Sequence, residues 1–91
     1  MVDHALPGED LVAKGLADLV RRTETVESLL VSIAAARLAA SGHDVAEPFA
    51  DPELRLYALL ARDDPDAAHG RYNALVRRLV SYERAAECVA P

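Results

Sequence analysis

Two residues in the stretch RDDPDAAH could act together: Arg62 opens it and His69 closes it. An arginine and a histidine at this spacing can be a catalytic pair, the entry to a nucleic-acid-binding helix, or the place where one helix stops and the next begins. Other reactive types are sparse. His4, His43 and His69 are scattered, and only His43-Asp44 puts two potential metal ligands side by side. A metal site needs three or four converging ligands, so no metal or other cofactor is expected. None of Ser28, Ser32, Ser41 or Ser81 stands in a Gly-x-Ser-x-Gly turn. The four glycines (8, 15, 42 and 70) are isolated and form no phosphate-cradling loop. Cys88 is the single cysteine, which excludes an intramolecular disulfide and a cysteine-based zinc site.

An arginine followed after a few residues by a histidine, in an all-helical chain, resembles the ribonuclease motif of HEPN domains. The match covers the eight residues from Arg62 to His69. The resemblance implies RNA cleavage without metal by Arg62 and His69. The intervening residues support another reading. Asp63, Asp64 and Asp66 form a local acidic patch that repels phosphate. Asp64-Pro65 is a helix-start signal that places a break between the two residues. The stretch reads as a helix stop and restart, no catalytic residue is assigned, and the chain is expected not to be an enzyme.

The arginines that follow form two stripes. At about 100° per residue, Arg71 and Arg78 fall together on one border of an apolar seam, and Arg77 and Arg84 fall on the outer face. Arg71 and Arg78 can lay their stems along the seam and reach acids on a neighbouring helix. All four are candidates for contact with a partner or with phosphates. The net charge of −5 weighs against nucleic-acid binding as the main role.

These residues must be positioned by helices. The chain has 91 residues, 52% of them hydrophobic, with eighteen alanines and no tryptophan. Alanine is the best helix former and packs without side-chain entropy cost. Four helices are predicted. The first spans about residues 9–22, opened by Pro7-Gly8 and by Glu9 and Asp10 at the positive end of its dipole, with Val12, Leu16, Leu19 and Val20 as its stripe. The second spans about residues 24–41 and is closed by Gly42. Thr23 or Thr25 can cap its start, and a single kinked helix running through both segments is an alternative. The second helix is apolar nearly all round, with Ser28, Ser32, Ala35 and Ala39 as a small-residue face, so it is the expected central helix. Residues 42–51 form a linker in which Phe49 packs on the core edge. Residues 1–8 are a flexible N-terminus.

Asp51-Pro52-Glu53 and Asp64-Pro65-Asp66 start the third and fourth helices, with aspartate as cap and proline at the first helical position. The third reaches about Ala61, with Leu54, Tyr57, Ala58 and Ala61 on one face and Leu56, Leu59 and Leu60 beside it. The fourth reaches about Cys88 along the seam Ala68, Tyr72, Leu75, Leu79, Tyr82, Ala86 and Val89.

The expectation is one small all-α four-helix domain, orthogonal or bundle-like. A chain of this length buries only about 60–65% of its unfolded surface. Its apolar helices therefore call for covering, and a homodimer with Leu30, Ile33, Leu75, Leu79 and Tyr82 in its interface is expected. The function that follows is a non-enzymatic regulatory or accessory module binding a partner protein. The alternative is an antitoxin-like nucleic-acid-binding regulator. The most apolar run, residues 26–40, is too short to span a bilayer and contains Glu27 and Arg37. The N-terminus lacks a signal-peptide pattern, and the free thiol suits a reducing compartment. A soluble cytoplasmic location is expected. Arginine supplies nine of the ten basic residues, a composition associated with GC-rich bacterial genomes.

Overall fold

The computed structural model describes residues 6–89, with the side chain of Val89 excepted. His4 and most of the predicted flexible N-terminus lie outside them, and so does the side chain of Val89, the last member of the seam. The described residues form five helices and no strand: α1 (Glu9–Val20), α2 (Val26–Ile33), α3 (Ala35–Ala40), α4 (Pro52–Asp63) and α5 (Ala68–Val89). The all-α class holds, with five helices in place of four.

The first two helices are separate, not one kinked rod. Arg22 takes a left-handed conformation (φ 56°), Thr23 N–H donates to the Asp18 carbonyl at 2.9 Å, and Arg22 N–H donates to that of Leu19 at 3.1 Å. These are the paired bonds of a Schellman ending, made here on an arginine where glycine is the usual residue. Of the two candidate threonines, Thr25 is the cap. Its hydroxyl oxygen accepts from Ser28 N–H at 3.1 Å, and Ser28 Oγ accepts from Thr25 N–H at 2.8 Å.

The predicted second helix is broken instead at Ala34 (φ −99°, ψ 13°). Ser32 Oγ donates back to the Ser28 carbonyl at 2.8 Å and accepts from Phe49 N–H at 3.0 Å. Such back-bonding by serine bends helices, and here it also serves the incoming linker. Gly42 (φ 99°) closes α3 with the same paired bonds, His43 N–H to Leu38 and Gly42 N–H to Ala39.

α2 is the hub. It packs on α1, α4, α3 and α5, and Leu29, Leu30 and Val31 are fully buried. The inward face of α1 is centred on Leu11, Val12, Gly15 and Leu19, and Val20 is exposed, contrary to the predicted stripe. Gly15 explains the rotation. A Cβ there would overlap the Glu27 carbonyl oxygen, and the carbonyl carbon lies only 2.8 Å away. The backbones of α1 and α2 touch where α1 has no side chain.

α4 is also turned relative to expectation. Leu56 and Leu60 are its buried residues, with Leu59 half-buried beside them, whereas Leu54, Tyr57 and Ala58 face out. Asp51 occupies the cap position with φ 48° but makes no side-chain cap bond. The last helix starts at Ala68, three residues later than Pro65. Asp64 Oδ1 accepts from Asp66 N–H at 3.1 Å and Ala67 N–H at 3.4 Å, so its carboxylate caps the turn leading into α5. No described helix is long and apolar enough to cross a membrane.

Candidate functional site

Arg62 falls in the last turn of α4 and His69 is the second residue of α5. Both are exposed. The His69 ring nitrogen pairs with the Asn73 amide at 3.2 Å, and the turn between Arg62 and His69 is organised by the Asp64 carboxylate. Among the described residues, no three His, Cys, Asp or Glu side chains converge as a metal site would require. His43 is committed elsewhere. Its Nε2 lies 2.8 Å from the Tyr82 hydroxyl, tying the linker to α5. Burial pushes the Tyr82 hydroxyl above its ordinary pKa, and the Glu9 carboxylate adds to the rise. Cys88 is exposed near the end of α5.

The arginines of α5 divide as their spacing predicts. Arg71 Nη1 reaches Asp63 of α4 at 2.7 Å, and Arg78 Nη2 reaches Asp10 of α1 at 3.5 Å. Arg77 and Arg84 are exposed, and no ion pair holds either one among the described residues. The inner seam of α5 points inward, with Ala68, Leu79 and Tyr82 buried and Tyr72, Leu75 and Ala86 packed on the core.

Of the five residues expected at an oligomer interface, Leu30, Leu79 and Tyr82 are buried within this chain. Ile33 and Leu75 are half-buried. Ile33 lines a shallow groove of about 200 Å³ with Val76 and Val80, bounded by the Arg37–Glu83 ion pair at 3.4 Å.

Uncovered apolar surface lies at Val20 of α1 and, as a stripe, on α4. Leu54 is 74% exposed and Tyr57 40%, and Ala58 lies beside them. By helical geometry, Leu54 and Ala58 stand opposite the buried Leu56 and Leu60. α4 thus carries two apolar stripes and buries one. Tyr57 leans its ring toward Tyr72 of α5, with centroids 5.9 Å apart. The sequence held a clue in PELRLYALLARD: twelve residues with more apolar positions than one inward face can use.

Two further grooves border α5. One, of about 650 Å³, lies beside the His43–Tyr82 contact and is rimmed by Glu9 and Asp10. The other, of about 430 Å³, runs between α1, α2 and α5 over Leu11, Val26, Ala74 and Leu75, with Arg71 and Arg78 on its edge.

Compared with known proteins, the chain matches no family model, no curated protein and no solved structure.

Proposed function

We propose that this chain is a non-enzymatic helical module that acts through protein–protein contacts and self-associates as a dimer. The observation that supports this reading is the outward stripe Leu54, Tyr57 and Ala58 on α4. A leucine three-quarters exposed beside a half-exposed tyrosine is apolar surface that a small domain can use once it is covered. Tyrosines near the centre of such a patch are among the residues that carry most of the energy of an interface. A two-fold dimer brings the stripe onto its own copy, the commonest arrangement of small oligomers.

Sedimentation equilibrium between about 1 and 100 μM tests the reading. Concentration-dependent dimerisation that is lost in Leu54→Glu supports it. A monomer throughout that range, for the native chain, overturns the self-association.

A second reading, a nucleic-acid-binding regulator, is favoured by two exposed arginines that no ion pair holds among the described residues, Arg77 and Arg84. Binding to random duplex DNA that weakens steeply with salt supports that reading. No binding at low salt removes it.

A further inference from the structure

The arginines on the border of the α5 seam sit on a groove, and the groove has a chemistry. Leu11, Val26, Ala74 and Leu75 give it an apolar floor between α1, α2 and α5, and Arg71 and Arg78 stand on its edge. Seven residues apart, the two arginines lie on one helix face roughly 10 Å apart along the axis. Ala74 lies between them and carries nothing beyond a methyl group, so another backbone can come close. From this arrangement we infer that the groove docks an amphipathic helix of a partner protein, with two carboxylates seven residues apart and aliphatic residues between them.

Three observations favour this occupant. First, the arginines are about half covered while their present acids stand in water: Asp63 is 74% exposed and Asp10 86%. The arginine stems are held by the protein, and the intramolecular carboxylates are the loose members of each pair. Exposed pairs of this kind contribute little, so an incoming carboxylate can replace Asp63 or Asp10 at small cost. Second, Glu27 lines the groove and is held by Lys14 at 3.4 Å. A carboxylate there repels an acid at the middle of the docked helix and confines the partner's acids to the two ends. Third, a seven-residue spacing matches an identical spacing on a helix running in either direction. The apolar floor and Glu27 suit a peptide better than a phosphate backbone, which needs a uniformly basic track.

The inference rests on the reading of the chain as an interaction module and uses a different surface from the α4 stripe. Its probe is a fluorescein-labelled synthetic helical peptide with Glu at positions i and i+7 and Leu at i+3 and i+4. A twin peptide carries Lys in place of both Glu. The titration uses the full chain, followed by fluorescence anisotropy. The expected result is micromolar binding of the acidic peptide, at least tenfold weaker binding of the lysine twin, and weakening between 50 and 500 mM salt. The Arg71→Glu/Arg78→Glu double variant is expected to lose at least tenfold in affinity. Ala74→Glu, which closes the floor and leaves both arginines in place, is expected to do the same, with circular dichroism showing that each variant is folded. Equal binding of the two peptides, binding of neither, or tighter binding of random duplex DNA than of the acidic peptide overturns the inference. Titration of Leu54→Glu separates the two readings. Failure of self-association there with peptide binding retained shows that the surfaces are independent, whereas dimerisation without peptide binding removes the groove alone.

Discussion

The α1–α2 pair and the α4–α5 pair are both helical hairpins, yet they are built differently. The first is locked at every level. Its turn is closed by paired backbone bonds at Arg22 and Thr23 and by the reciprocal Thr25–Ser28 cap. Its helices touch at Gly15, and Asp18 accepts both Lys14 Nζ at 2.7 Å and Thr25 Oγ1 at 2.8 Å. The second pair has one capping carboxylate in its turn, an apolar stripe turned to solvent and arginines held by exposed acids. The first pair spends its turn-closing and capping groups on itself, while the second leaves an apolar stripe and exposed arginines available for a partner.

The comparison can be tested by substitutions on each side. The largest effect is expected at Gly15. Gly15→Ala places a methyl group against the Glu27 backbone, which has no rotamer to yield. A loss of about 3 kcal/mol, at the upper end for overpacking, is expected from urea unfolding. Next, Thr25→Ala removes the reciprocal cap and is expected to cost about 1 kcal/mol in the same assay.

The third prediction concerns pH. Hydrogen bonds from Lys14 and Thr25 hold the Asp18 carboxyl below its ordinary pKa of 3.8. A group with a depressed folded-state pKa adds stability above its unfolded pKa and loses that contribution as pH falls through the folded value. The stability difference between the native chain and Asp18→Asn is therefore expected to be full at neutral pH and to shrink below about pH 4, measured by melts across that range. A constant difference down to pH 2 would refute the linkage.

On the second pair the same kinds of change are expected to be mild. Leu54→Glu is expected to leave the stability of the monomer within about 0.5 kcal/mol and to act on sedimentation instead. Gly70 is opposite in sign. Nothing lies within 4 Å of a Cβ there and its φ is ordinary, so Gly70→Ala is expected to stabilise by up to about 1 kcal/mol. If Gly15 and Gly70 behaved alike, the contrast between the two hairpins would fail.

Much of the fold was legible in local residues. Pro7-Gly8 before α1, Gly42 after α3 and Asp51-Pro52 before α4 all mark the observed ends, because each acts through its own backbone. The burial of Ser28 and Ser32 followed from their place on a helix apolar all round. The turn at Arg22 did not announce itself, since arginine carries no preference for a left-handed backbone and is placed there by tertiary contacts. Near the break at Ala34, Ser32 meets the Phe49 N–H, a contact between positions seventeen residues apart that local sequence does not reveal. Which stripe of α4 turned inward was equally hidden, because both are apolar and only packing on α2 chooses between them. For the candidate surfaces, the division of the α5 arginines was readable from helical spacing, whereas the Gly15 contact and the exposure of Leu54 needed the assembled core.

Arg22 joins two opposing effects in one side chain. Its left-handed backbone costs about 1 kcal/mol that a glycine would not incur. Its guanidinium lies 4.6 Å from the centre of the Phe49 ring and donates to the Glu47 carbonyl, fastening the linker against the first hairpin. Arg22→Gly would therefore relieve strain in one segment while releasing another. Global melting would register little change, yet residues 43–50 would exchange their amide hydrogens sooner and become the first site of proteolytic cutting. The residue that ends α1 thus also sets the order in which the protein opens.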